Sequence, residues 1–188
     1  MIYNLETLVN QLHQTPSDIN EHIPTIIKYG QECDHITEMG VRGILSTWAW
    51  LASSPKKLIA YDLEDPSKWK SNIQDVYDTA KAYDLDFSFI KGDVLKLEIE
   101  ETDLLFLDTY HIYPQVKEEL RLHFDKVNKY ICFHDTTSFE INGEDGKKGT
   151  GIWKAIEEFL GENKSTWKLK ERFTNNNGFT IIERINND

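Results

Sequence analysis

The sequence predicts an α/β fold: a Rossmann-like, mostly parallel sheet with helices on both faces, closed by a C-terminal antiparallel hairpin and preceded by N-terminal helices. Three observations predict it. Short apolar runs alternate with segments of helical periodicity along most of the chain, the order that successive βαβ units produce. Those runs lack polar alternation, as strands buried on both faces do. Near the end, two strand-like runs flank Asn177-Gly178, a hairpin turn signal.

The elements follow in order. Leu5, Leu8, Val9 and Leu12 recur at helical spacing. After Thr15-Pro16, a cap at Ser17 or Asp18 leads into Ile19, Ile23, Ile26 and Ile27, with a restart near His22 because Pro24 suits a first helical turn. His35 to Met39 reads as a strand ending at Gly40, followed by helical spacing through Ile44, Trp48 and Leu51. Leu58 to Tyr61 is a strand running into Asp62, and one helical stripe is expected from Pro66 through Trp69, Ile73, Val76, Tyr77, Ala80 and Tyr83. Strands Phe87 to Ile90 and Leu104 to Leu107 end near Asp93 and at Asp108. Val116, Leu120, Phe124 and Val127 mark a helix, and Tyr130 to Phe133 a strand ending at His134-Asp135. Residues 137–150 form a polar, glycine-bearing loop expected to act as a lid over an acceptor. A helix carrying Ile152, Trp153, Ile156, Phe159 and Leu160 stops at Gly161, and the hairpin Trp167–Phe173 and Phe179–Ile185 follows. The tryptophans read as core residues, except that Trp50 need not share an inward face with Trp48 and Leu51.

At 188 residues the chain suits a single domain, with N-terminal helices over 1–30 and the α/β core over 31–188. A composition 39% hydrophobic and 12% aromatic can fill a core. The net charge of −11, from 32 acidic against 21 basic residues, disfavours nucleic acid and anionic membrane surfaces as partners. No apolar run approaches the roughly 18 residues of a membrane span, and Met1 to Gln14 is too polar to read as a signal peptide. Two cysteines, Cys33 and Cys132, are too few for a disulfide framework, so a cytoplasmic setting is expected.

In open α/β sheets ligands gather at the carboxyl ends of the strands, and each strand here ends in an acidic residue or glycine: Gly40, Asp62, Asp93, Asp108 and His134-Asp135. Turn-forming tendency alone would place some of them there. Glu38-Met39-Gly40-Val41-Arg42-Gly43 closes a strand and opens a helix, so Gly40 lets the backbone approach a ligand beside free N–H donors. Arg42 stands where a dinucleotide fingerprint would want glycine, which favours a nucleoside with an amino-acid tail over a pyrophosphate. Asp62 is placed to accept both hydroxyls of a ribose, and Asp93 the amino group of an adenine. Asp108, His111, His134 and Asp135 at adjacent strand tips suit a hard divalent cation or a proton relay.

Taken together, Asp18-Ile19, His22, Glu38-x-Gly40-x-Arg42-Gly43, Asp108-x-x-His111-x-Tyr113-x-x-Val116 and His134-Asp135-Thr136 resemble the methyltransferase family 24 group, which is related to cephalosporin hydroxylase-like and macrocin O-methyltransferase-like proteins. The resemblance runs from about residue 17 to 185. It implies a class I methyltransferase sheet of strand order 3-2-1-4-5-7-6 with strand 7 antiparallel. It further implies S-adenosylmethionine as cofactor, held by Glu38, Gly40, Val41, Arg42, Gly43 and Ser46, with Asp62, Asp93 and Asp108. Some relatives bind Mg2+ after strands 4 and 5, where this chain has Asp108, His134 and Asp135. The expected activity is methyl transfer to an oxygen of a small hydrophilic acceptor such as a sugar, with His111 as general base and Asp108 orienting it. A non-catalytic nucleoside-binding module and a nicotinamide-dependent oxidoreductase are the alternatives, and self-association into a homo-oligomer is left open.

Overall fold

The computed structural model describes residues 1–185. Its seven strands are β1 (His35–Met39), β2 (Lys57–Asp62), β3 (Asp86–Lys91), β4 (Thr102–Leu107), β5 (Val127–His134), β6 (Trp167–Phe173) and β7 (Phe179–Arg184). They form one sheet of order β3-β2-β1-β4-β5-β7-β6. Strands β1 to β5 pair in parallel, and β7 is antiparallel to both β5 and β6.

Period-two alternation along the strands divides the core between two layers. Ile36, Leu104, Phe106 and Cys132 face one side, where α1 (Leu5–Gln14), α2 (Ile23–Gly30), α3 (Leu45–Ala52) and α4 (Ile73–Ala82) pack. Met39, Leu105, Leu107, Ile131 and Phe133 face the other, under α5 (Tyr113–His123) and α6 (Trp153–Glu162). Helices α1 and α2 lie against α3, so α3 is enclosed: every residue from Ser46 to Leu51 is buried. Trp50, set apart in the sequence as the tryptophan without an obvious inward face, is therefore fully buried.

Two helical stripes are broken where the sequence suggests continuity. The run from Pro66 splits into a 3-10 turn, Pro66–Trp69, and α4. Lys70 turns left-handed (φ 61°) and the Asn72 side chain accepts from the Gln74 N–H to start a new helix. Trp69 is thereby freed from the core and stands 50% exposed. Likewise Phe124 falls in a 3-10 turn after α5, and Val127 opens β5 rather than closing the helix.

Register carries the fold to its site. Met39 pairs with Tyr61 and with Leu107, and Leu107 with Phe133. The residues that follow, Gly40, Asp62, Asp108 and His134, therefore stand along one edge of the sheet.

Candidate functional site

A cavity of about 720 Å³ opens along that edge. Gly40, Arg42, Asp62, Asp93 and Asp108 line it, and so do His111 and Asp135. Glu38, Val41, Gly43, Ser46 and His134, expected with them, stand behind the cavity wall rather than on it.

The reason is geometric. Glu38 shares the inward face of β1 with Ile36, beneath α3. Its two carboxyl oxygens accept from Ser46 Oγ (2.5 Å) and Thr47 Oγ1 (2.7 Å). Burial pushes this carboxyl up to about 8, against the opposing effect of those two hydroxyls. Glu38 and Ser46 thus seal the start of α3 from below. Val41 is core.

Gly40 turns at φ +89°, and a Cβ there would lie 1.9 Å from the carbonyl oxygen of Asp108. Glycine is required for β1 and β4 to end this close together. The next turn holds Arg42 and Ile44 at positive φ, unusual above all for a β-branched residue. Asp62 stabilises it: Oδ2 accepts from the Val41 and Arg42 N–H groups (2.8 and 3.0 Å), and Oδ1 from Glu64 N–H (2.8 Å). A carboxylate offers about four acceptor positions, so one is left for a ligand hydroxyl while the turn keeps these bonds. The Arg42 guanidinium pairs with Asp18. Asp93 accepts from Leu95 N–H (3.1 Å) and pairs with Lys96 (2.9 Å), a turn-forming arrangement on the cavity wall.

At the other end Asp108, His111 and Asp135 converge, with one ligand atom from each lying within 4.8 Å of the others. His111 Nε2 is 3.1 Å from Asp108 Oδ1 and 3.5 Å from Asp135 Oδ2. Its Nδ1 meets Glu144 Oε2 at 3.0 Å, and its ring stacks on Phe139, centroids 5.0 Å apart. Burial lowers the affinity of this ring for a proton, but the Asp108 hydrogen bond and charge outweigh it and the pKa is raised. An imidazole titrating close to its ordinary value, the property expected of it as a base, is thus replaced by one that holds its proton more strongly. Burial also raises the Asp135 carboxyl despite the neighbouring histidines. Its Oδ1 is buried without a partner.

His134, expected among the cation ligands, stands outside the trio of Asp108, His111 and Asp135. It follows Cys132 on the α1–α3 side of β5 and is buried there. Nε2 donates to the Asp18 carbonyl (3.0 Å), and Nδ1 faces Asp108 Oδ1 (3.3 Å). Burial opposes its charge, but Asp108 prevails and lifts it to about 9. Asp108 itself is held well below the usual carboxylate range: its desolvation is overcome by His134 and His111. His134 is a neighbour that orients Asp108, with its Nε2–H taken up by the Asp18 carbonyl.

Asp108, His111 and Asp135 fit a divalent cation. Two carboxylates and an imidazole form a suitable donor set for Mg2+ or Mn2+, with Asp135 Oδ2 the oxygen turned towards His111. Sequence reasoning missed Glu144, Phe139, Trp69 and Asn177, all on the cavity wall. Loop packing brings them there, and only the parity of residues along each strand could have corrected Glu38 and His134.

Strand order, the antiparallel β7 and a cleft at the strand tips define the class I methyltransferase fold. Similar solved structures include the O-methyltransferase of Bacillus cereus in complex with SAH, with TM-score 0.64 and 14% identity over 96% of this chain and 90% of that one. The O-methyltransferase TomG of Streptomyces achromogenes in complex with SAM gives 0.64 and 13% over 99% and 92%. The N-methyltransferase NodS of Bradyrhizobium japonicum WM9 with SAH gives 0.59 and 14% over 97% and 98%. Sequence comparison finds no matching family model and no matching curated protein. Among the described residues no helix is long and apolar enough to cross a membrane.

Proposed function

We propose that this protein is an S-adenosylmethionine-dependent methyltransferase that methylates a hydroxyl of a small hydrophilic acceptor, a sugar being the expected class. One observation carries the reading. The glycine turn with Asp62 and Asp93, and the trio Asp108, His111 and Asp135, line a single cavity, of the size small-molecule sites have. The likeness to SAM- and SAH-bound O- and N-methyltransferases supports it at the level of fold.

In this reading Gly40 gives the amino-acid end of the cofactor access to the backbone, Asp62 takes a ribose hydroxyl, and Asp93 lies towards the adenine. The sulfonium methyl is already electrophilic, so the chain must align an acceptor oxygen with it and remove a proton. Asp108, Asp135 and His111 Nε2 are the groups that face that oxygen, and they would hold a divalent cation. A bound cation lowers the pKa of an acceptor hydroxyl. His111 Nε2 must release the proton its carboxylate neighbours favour before it can hold the cation.

The test is calorimetric titration with S-adenosylmethionine, its demethylated product and a nicotinamide dinucleotide. Binding of the first two and not of the third is the expected result. Binding of the dinucleotide alone would replace this reading with the oxidoreductase one.

A further inference from the structure

Glu144 and His111 are joined by three hydrogen bonds that the proposed reaction does not use. The His111 main-chain N–H donates to Glu144 Oε2 (3.1 Å), His111 Nδ1 meets the same oxygen (3.0 Å), and the Glu144 N–H donates to the His111 carbonyl (3.0 Å). The loop that presents Glu144 is braced. Asp145 accepts from the Lys147 N–H and the Thr150 hydroxyl, and Asn142 bridges to Lys148. The Tyr113 N–H donates to the Thr150 carbonyl at 2.6 Å. At Gly143 a Cβ would meet Thr150 Oγ1 at 2.7 Å and Ile112 Cγ2 at 2.8 Å, so the loop lies directly on the segment carrying His111.

An ionised carboxylate only accepts, so the proton of this contact is on Nδ1. The other ring nitrogen, Nε2, faces Asp108 Oδ1 and Asp135 Oδ2, 3.1 and 3.5 Å away, and by the same rule carries a proton towards them until a cation takes its place. Once that proton leaves, Nε2 and the two carboxylate oxygens are three donors facing one point, and a positive charge among them replaces the one the proton supplied. Histidines that ligate metals have this arrangement, with the far N–H given to a carboxylate that fixes tautomer and ring orientation. We propose that Glu144 is a positioning residue: it locks His111 in the tautomer that offers Nε2 to a divalent cation shared with Asp108 and Asp135. Loop 137–150 is then a built-in part of the cation site rather than the lid the sequence suggests. The proposal rests on the methyltransferase reading for what the cation does, and on the geometry alone for how it is held.

The experiment titrates Mn2+ into the purified chain, read by its paramagnetic resonance signal, with calorimetric binding of S-adenosylhomocysteine measured on the same samples. Wild type is expected to take up Mn2+. Glu144→Ala should weaken that uptake by about 10–100-fold and leave S-adenosylhomocysteine affinity unchanged. Glu144→Gln, which keeps an oxygen acceptor for the Nδ1 proton, should recover part of the loss. A purely structural Glu144 would lower the melting temperature of the alanine variant without moving Mn2+ affinity, and that result overturns the proposal. Failure of the wild type to bind Mn2+ overturns it too. Should Glu144→Ala not fold, nitrogen NMR of the Mg2+-loaded wild type decides: a proton on Nδ1 of His111 supports the proposal, and one on Nε2 overturns it. Absence of S-adenosylhomocysteine binding to wild type, with the Mn2+ results as expected, strikes the functional reading alone.

Discussion

Gly40 and Asp108 meet backbone to backbone at the centre of the cleft: a Cβ on Gly40 would stand 1.9 Å from the Asp108 carbonyl oxygen. Gly40→Ala therefore has to part the tips of β1 and β4 and to hold an L-residue at φ +89°. A loss of about 3 kcal/mol of stability is expected, together with loss of S-adenosylhomocysteine binding. Thermal denaturation and calorimetry check both. An alanine variant that melts and binds like wild type would mean the strand tips are not joined as described.

Glu38 gives the fold a pH dependence. Its ordinary value is 4.5 and its folded value about 8, so the folded state binds a proton that the unfolded chain releases earlier. The resulting stability is fully present below about 4.5 and is lost as pH rises through 8. Glu38→Gln, which has an oxygen and an amide for the same two hydroxyls, should be neutral near pH 5 and more stable than wild type above pH 8. Melting temperatures at the two pH values measure this. Because Glu38 is outside the cavity, cofactor affinity should stay unchanged in the variant.

The architecture was legible in the sequence because buried parallel strands leave uninterrupted apolar runs, and because Asp and Gly close them. All seven strands were expected within a few residues, and the row Gly40, Asp62, Asp108 follows from their ends. Strand parity is legible in the sequence as well. Ile36 and Cys132 are core residues of the α1–α3 side, so Glu38 and His134, two residues along, face that side and not the cleft. Glu144 left no such trace. It reaches His111 across 33 residues through a loop whose path is set by Asp145, Gly143 and Thr150. No periodicity reports a contact of that kind.

Asp62 supports the glycine turn as well as facing the ligand, so its removal has two effects. Asp62→Ala should cost about 2 kcal/mol of cofactor binding, from a charge-assisted hydroxyl contact. It should also lower the melting temperature, because the Val41, Arg42 and Glu64 N–H groups lose their acceptor. Calorimetry and thermal melts separate the two. A variant with unchanged melting and unchanged binding would leave Asp62 with neither role.

His111 separates an enzyme from a binding module. His111→Ala should leave S-adenosylmethionine affinity nearly unchanged and reduce methyl transfer by about 10²–10⁴-fold. At limiting Mg2+ the wild-type rate should rise with pH through a range above the ordinary histidine value of 6.5, since the cation has to displace a proton that Asp108 and its neighbours hold on this ring. Chelator should abolish the activity and Mg2+ restore it. Stopped assays with a panel of hydroxylated acceptors check all three. Turnover that survives the substitution would return His111 to a structural role.

Strand β7 follows β6 in the chain yet lies inside it, between β6 and β5. Its turn also supplies the Asn177 carbonyl that accepts the Thr137 and Ser138 N–H groups at the cleft wall. A nascent chain that has emerged only through β6 therefore has nowhere to dock that strand, and the β5 margin is open to pairing with other molecules. Cleft and sheet edge are completed by the same few residues. Synthesis stalled between Phe173 and Arg184 would yield an aggregation-prone intermediate with β5 exposed, whereas adding β7 covers that margin and sets the turn that borders the cleft.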